Sequence, residues 1–242
     1  MGKYAYIGVS FIILVFGIIF IPRIVNRIKG TEIVKNSRMS ADNKINNEKL
    51  AFLELNGNKK SIPEFAFINQ DSLPITQIDF KGKVTVVDFF FVNCPTICPK
   101  MTGNLAYLQN QFKNEQDFAI ASFTINPAFD TPTQLKKYAD NYKVTNPNWH
   151  FLTGDKRQIY DLAKNGFNIF AEENPNVPGG FEHSGYFALI DKNGFIRSRY
   201  DNFGNPIVYY RGTVSLEEKM DENGEEEQIS ILEKDIQKLL NE

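Results

Sequence analysis

Val84 to Met101, V-T-V-V-D-F-F-F-V-N-C-P-T-I-C-P-K-M, carries an apolar run straight into the two cysteines of the chain. Val84 to Val92 is β-branched or aromatic almost throughout and broken only by Asp88, the composition of a strand covered on both faces and placed inside a sheet. Cys94 and Cys98 follow with Pro95, Thr96 and Ile97 between them, and Met101, Leu105, Leu108 and Phe112 then recur at helical spacing. The thiols are therefore expected at a strand-to-helix turn. Backbone N–H groups and the positive end of a helix dipole converge there, and both favour thiolate, the form that attacks disulfides and binds metals.

Outward from this stretch, Leu50 to Leu55, Ile62 to Asn69 and Ile75 to Phe80 alternate like hairpin strands, punctuated by Asn56-Gly57 and by Asp71 to Pro74. Downstream, Phe118 to Ile125 reads as a second apolar strand. Thr131, Pro132 and Gln134 form a T-x-x-Q capping box for a helix bearing Leu135, Tyr138, Ala139 and Tyr142 on one face, which leaves the Asp130 carboxylate without an evident structural task. A third strand is expected at Trp149 to Leu152, with Thr153 capping a helix that ends at Gly166. Such alternation of strand and helix predicts an α/β fold with parallel pairing. Glu172 to Gly185 reads as a Pro/Gly-punctuated loop carrying His183 just ahead of a strand, Tyr186 to Ile190, and D-K-N-G at Asp191 to Gly194 turns the chain into an antiparallel partner, Phe195 to Tyr200. Glu217 to Glu227 is expected to be a solvated acidic loop, and Ile229, Leu232, Ile236, Leu239 and Leu240 mark a final amphipathic helix.

The 242 residues, 42% hydrophobic, suffice for one globular domain of ordinary size. A formal net charge of -2 gives no basic field and excludes nucleic acid as the expected partner. Tyr4 to Ile21 is an uncharged apolar run of 18 residues, which as a helix would reach about 27 Å against a hydrocarbon core of about 30 Å. It reads as a transmembrane anchor rather than a cleaved signal peptide, because it ends Phe20, Ile21, Pro22, Arg23 without a small-residue cleavage site. The expected organisation is an anchor over 1–29, a polar tether over 30–49 and a folded domain over 50–242. Arg23, Arg27, Lys29, Lys35 and Arg38 follow the span and only Lys3 precedes it. Taken alone, the positive-inside rule would hold the domain in the cytoplasm, although long domains translocate largely regardless of charge.

The CxxxC pair admits a structural disulfide, a redox dithiol or two thiolate metal ligands. So short a loop gains little from a structural bridge, since the entropic benefit grows with loop length, while spacing alone favours neither of the other two. His183 would add an imidazole, giving a soft three-donor set that suits copper, unless it is an ordinary loop histidine. His150, inside an apolar strand, reads as a packed or surface imidazole, and Met101, one turn beyond Cys98, as core rather than an axial ligand. The two histidines stand too far apart in sequence for a zinc-finger pattern.

With F-F-F-V-N-C-P-T-I-C-P-K-M, the following D-T-P, W-H-F-L-T-G and E-H-S-G-Y-F-A-L-I-D-K-N-G, the chain resembles the Sco/SenC family of membrane-anchored copper chaperones over roughly Ile62 to Asn205. The resemblance implies a thioredoxin-like fold with an N-terminal transmembrane helix, and a loop that brings His183 to Cys94 and Cys98. It implies copper held by these three residues for delivery to the binuclear copper site of cytochrome c oxidase, with a copper donor and a thiol reductant as further partners. Some relatives act instead as thiol reductants, so a membrane-tethered thiol-disulfide oxidoreductase using Cys94 and Cys98 is the alternative. The family also places its domain outside the cytoplasm, here the periplasmic or outer side of a bacterial cell membrane. Asn126 stands where the family commonly has aspartate, which makes Asp130 the acid expected to support the site.

Overall fold

In the computed structural model, residues 49–55, 57–200 and 206–242 are described, together with Phe16. The anchor expected at Tyr4 to Ile21 and the tether over 30–49 thus lie outside the described residues, Phe16 and Lys49 apart. Among the described residues no helix is long and apolar enough to cross a membrane.

Residues 49–242 begin with five short strands, β1 Ala51–Phe52, β2 Glu54–Leu55, β3 Asn58–Lys59, β4 Ala66–Asn69 and β5 Pro74–Thr76. Two of the expected strands are shorter than their alternation suggested. Ile62 to Phe65 is not strand, and Gln77–Phe80 is a 3-10 turn because Thr76 and Asp79 cap it reciprocally: the Thr76 amide donates to Asp79 Oδ2 at 2.7 Å and the Ile78 amide to Thr76 Oγ1 at 3.3 Å. Next come β6 Val84–Phe90, α1 Cys98–Gln111, β7 Phe118–Thr124, α2 Pro132–Asn141, β8 Trp149–Thr153 and α3 Lys156–Asp161, which runs into a π-helical turn, Leu162–Gly166. The chain closes with β9 Ala171–Glu173, β10 Phe181–His183, β11 Tyr186–Ile190, β12 Ile196–Tyr200, β13 Pro206–Ile207, β14 Tyr209–Arg211 and α4 Ile229–Leu240.

One ten-stranded mixed sheet runs in the order β1-β12-β11-β6-β7-β8-β4-β5, with β13 on β12 and β14 on β11. All seven residues of β6 and all seven of β7 are buried, and the two pair in parallel from Val84 opposite Phe118 to Phe90 opposite Thr124. Two-sided burial is what their unbroken apolar composition demands. β8 extends the parallel set beside β7, whereas β11 lies antiparallel on the other side of β6, with Ala188 opposite Val87 and Ile190 opposite Thr85. That register decides where the site forms: the segment entering β11 must arrive at the end of β6 from which the cysteine loop departs.

The helices obey their start signals with two adjustments. Thr131 caps α2 by accepting from the Gln134 amide at 3.5 Å, but Gln134 does not return the bond, so only half of the expected box exists. Asp155, not Thr153, caps α3, accepting from the Gln158 amide at 2.9 Å, because Thr153 is still the last residue of β8. On α1 the buried Met101, Leu105 and Leu108 face the core, and buried Asn104 donates to the carbonyls of Gly212 and Val214, fastening the C-terminal segment across this helix.

Candidate metal and dithiol site

The cysteine loop leaves β6 at its C-terminal end, and Cys98 is the first residue of α1, with Pro99 in the first turn where a missing N–H costs nothing. Cys94 is turned back by its amide, which donates to the Phe91 carbonyl at 3.2 Å. Below the loop, Asp130 is fully buried and its Oδ2 accepts from the Val92 amide at 3.1 Å and from the Thr124 hydroxyl. The sequence left Asp130 without a structural task. The structure gives it one, tying the turn that follows β6, just before Cys94, to the end of β7. Burial pushes its carboxyl above the usual range, with both hydrogen bonds opposing. Asn126 takes part through its backbone, its amide donating to Thr124 Oγ1 at 3.0 Å and its carbonyl accepting from the Phe129 and Asp130 amides.

His183 does not sit in an irregular loop. It ends β10, which pairs with β9 in an antiparallel hairpin that places His183 opposite Ala171 and alternates Phe181 and His183 inward with Glu182 outward. Strands of three residues inside a Pro/Gly-rich segment leave too little periodicity to be read from sequence. Gly179, at φ +88, lets the hairpin's loop lie against Phe91 and Pro95: a Cβ there would stand 2.9 Å from the Phe91 ring. Gly185 is equally constrained, since its Cβ would meet Thr213 at 2.0 Å.

Together these elements gather Cys94 Sγ, Cys98 Sγ and a His183 ring nitrogen within 4.8 Å of one another, all three residues buried. His183 Nε2 lies 3.2 Å from Cys98 Sγ, and its Nδ1 lies 3.2 Å from the Ser184 carbonyl. A carbonyl only accepts, so Nδ1 carries a proton toward Ser184 and Nε2 is the ring nitrogen turned to the sulfurs. Cys94 Sγ is 3.5 Å from Thr96 Oγ1, and Phe91 packs edge-on against the imidazole with ring centres 6.1 Å apart. A cleft of 210 Å³ opens beside the group, walled by Phe91, Ile97, Val177, Pro178 and Phe181.

Both thiols are free, and they are not equivalent. The neighbouring Cys98 thiol stabilises the Cys94 thiolate, and against the opposing effect of burial this and the His183 contact hold Cys94 down to about 3. Cys98 is pushed far up by burial and by the charge beside it. In effect the pair shares one proton, carried by Cys98. This arrangement can attack a disulfide through Cys94, and it can offer two sulfurs and one nitrogen to a soft cation.

The other candidates fall elsewhere. His150 is half-buried, 3.3 Å from the Asn69 amide nitrogen and edge-on to Phe80, outside the group. Met101 is wholly buried in the core cluster. Asp88 was visible in the sequence as the break in an apolar run, but nothing there assigned it a role. It lies buried in β6, accepting from the Ser122 hydroxyl at 2.5 Å.

A SCO1/SenC family model matches residues 54–216. The chain is 36% identical over 146 residues to a "SCO1 protein homolog" of Bacillus subtilis, covering 60% of this chain and 75% of that one. It resembles the crystal structure of a SCO1/SenC family lipoprotein from Bacillus anthracis with a TM-score of 0.60 and 32% identity, covering 74% of this chain and 95% of that one. It also resembles BsSco, described as a member of the Sco family of cytochrome c oxidase assembly proteins with a disulfide switch, at a TM-score of 0.57 and 30% identity over 75% of this chain and 94% of that one. The mixed sheet is accordingly of the thioredoxin-like kind, as expected. With a matched segment that runs from β2 past β14 and includes both cysteines and His183, the chain belongs to the SCO1/SenC family.

Proposed function

We propose that this protein is a membrane-tethered copper chaperone that holds copper through Cys94, Cys98 and His183 and delivers it to the binuclear copper site of cytochrome c oxidase. The observation that carries this reading is the convergence of two sulfurs and one imidazole nitrogen within 4.8 Å, in a buried pocket with an apolar mouth. Three soft or borderline donors without a carboxylate suit copper, and a closed zinc site would need a fourth ligand. A structure of cargo exchange rather than permanent storage fits a three-donor set at the floor of a cleft. Copper binding requires both thiols to deprotonate and the pair to be reduced, so oxidation to the disulfide and copper loading exclude one another. Asp130 supports the site by fixing Val92, and the expected anchor at Tyr4 to Ile21 would keep the domain at the membrane's outer face, beside the oxidase subunit that bears the acceptor copper site. A thiol reductant and a copper donor complete the cycle.

The asymmetry of the two thiols favours a second reading, a thiol-disulfide oxidoreductase in which Cys94 attacks and Cys98 resolves. His183→Ala separates the two. Reduced full-length protein, with bound copper and zinc counted for the native chain, Cys94→Ala and His183→Ala, is expected to hold one copper, and to lose at least tenfold in copper affinity in either variant. Full copper affinity in His183→Ala together with impaired thiol exchange would overturn the chaperone reading in favour of the oxidoreductase.

A further inference from the structure

The cleft of 210 Å³ at the thiol–imidazole site reaches Cys94 and His183 between walls of Phe91, Ile97, Val177, Pro178 and Phe181, and Glu182 is the one carboxylate that lines it. Glu182 lies between Phe181 and His183 in β10, so strand alternation turns its side chain away from the core and into solvent at the rim. Glu172 of β9 stands directly opposite it. The hairpin that delivers the imidazole therefore sets two carboxylates side by side at the mouth of the cleft.

Among the described residues, no cation pairs with either of them. Glu182 receives a hydrogen bond from the neutral Asn174 amide at 3.1 Å. The cations of the neighbouring elements are committed, Lys156 to Glu173 at 2.6 Å and Lys100, two residues beyond Cys98, to Glu218 at 2.7 Å. Through the second of these pairs the acidic stretch that begins at Glu217 lies along the start of α1, on the other flank of the cysteine loop. Like charges directly opposite each other weaken a strand pair, and a hairpin built only to hold His183 would be better served by a cation at either position. Apolar walls open to water are a second cost. A bare cation would answer the charge and leave the walls wet, and a neutral apolar segment would leave the carboxylates facing each other. An apolar side chain flanked by Lys or Arg removes both costs at once.

We propose that this mouth is the docking surface for a protein partner whose contact segment carries an apolar side chain beside Lys or Arg: the apolar side chain fills the cleft over Cys94, and the cation lies between Glu172 and Glu182. This rests on the Cys94, Cys98 and His183 site being the one that the partner meets, whether to take copper or to exchange thiols. The cation gains attraction to both carboxylates and ends their mutual repulsion. Before contact, the same field speeds the encounter with basic partners and slows it with acidic ones. The copper count in His183→Ala decides the cargo and this charge preference decides the partner, so either reading can fail alone.

End-capped pentapeptides K-L-C-L-K, E-L-C-L-E and K-G-C-G-K serve as probes, each joined through its cysteine to pyridine-2-thiol as a mixed disulfide. The Cys94 thiolate of reduced full-length protein attacks the peptide sulfur and expels pyridine-2-thiolate, whose release is followed by absorbance. Cys98, losing its proton, then attacks Cys94 Sγ and frees the peptide thiolate, so two electrons pass from the protein to the probe. Dividing each rate by that of 2-mercaptoethanol with the same probe removes the probes' own reactivity, and comparing probes on one protein cancels any folding defect. At low ionic strength the native protein is expected to favour K-L-C-L-K over E-L-C-L-E about tenfold, with the preference fading in about 1 M salt and shrinking to about twofold in Glu172→Gln/Glu182→Gln. K-L-C-L-K is also expected to react about fivefold faster than K-G-C-G-K, whose flanks cannot fill the cleft. A native charge preference no greater than about twofold, or one that the double variant keeps in full, overturns the proposal. Equal rates for K-L-C-L-K and K-G-C-G-K overturn it too, because the mouth would then recognise a bare cation and not the side chains of a partner.

Discussion

At the scale of single residues, the site depends on two thiols made unequal by their surroundings. The neighbouring Cys98 thiol favours the Cys94 thiolate, while Cys98 is the deeper of the two, 1% exposed against 8%. With Cys94 held at about 3, its thiolate fraction barely changes above pH 5. Alkylation of the reduced native chain with iodoacetamide should therefore modify Cys94 first, at a rate varying less than about threefold between pH 5 and pH 8. A rate that climbs tenfold per pH unit, read by mass spectrometry, would show an ordinary thiol and remove the asymmetry. Much of this was legible in the sequence, because a strand that ends in C-P-T-I-C-P ahead of a helical stripe can place its thiols only at the helix start. The roles of Asp130 and Asp88 were not legible. A carboxylate's task depends on which amide or hydroxyl lies opposite it, and Val92, Thr124 and Ser122 reach these two acids through tertiary packing.

Among the elements, the β9–β10 hairpin is the part most exposed to improvement. It delivers His183, yet it sets Glu172 directly opposite Glu182 on its outer face, where like charges repel. Glu182 is partly compensated by the Asn174 amide at 3.1 Å, and Glu173, one residue on, is paired with Lys156 at 2.6 Å. Replacing Glu172 with Lys converts the repulsive cross-strand pair into an attractive one without touching the inward face that carries Phe181 and His183. The Ser184 amide, which donates to the Phe170 carbonyl at 3.0 Å beside the hairpin, should then exchange with deuterium roughly twofold more slowly in Glu172→Lys than in the native chain. Faster exchange would mean that the pair does not limit the hairpin's opening. Three-residue strands have no period to detect, so the sequence predicts only a loop here, whereas Thr131 and Pro132 at its start and the buried stripe of Leu135, Tyr138 and Ala139 suffice to predict α2.

Over the whole molecule, the decisive feature is one that alternation of strands and helices could not reveal. Such alternation predicts parallel pairing, and β6, β7 and β8 obey it, but β11 joins the other side of β6 in the opposite direction. Had β11 been parallel, the segment before it would have arrived at the wrong end of β6, and His183 would lie a strand's length from the cysteines. Because it is antiparallel, a residue 85 positions from Cys98 comes to 3.2 Å from its sulfur. The site therefore exists only in the folded state, so a cation bound by all three residues must stabilise the fold by its binding free energy. At a free copper concentration about 100-fold above the dissociation constant, that gain is about 2.7 kcal/mol, which for a domain of this size corresponds to a rise of about 5 to 10 °C in Tm. Calorimetry of the reduced protein with and without Cu(I) should show this rise, shrunken in His183→Ala and absent after the cysteines are oxidised to the disulfide. An equal rise in the oxidised protein would place the copper elsewhere on the chain, and an undiminished one in His183→Ala would mean that Cys94 and Cys98 hold it without the imidazole that the antiparallel strand brings to them.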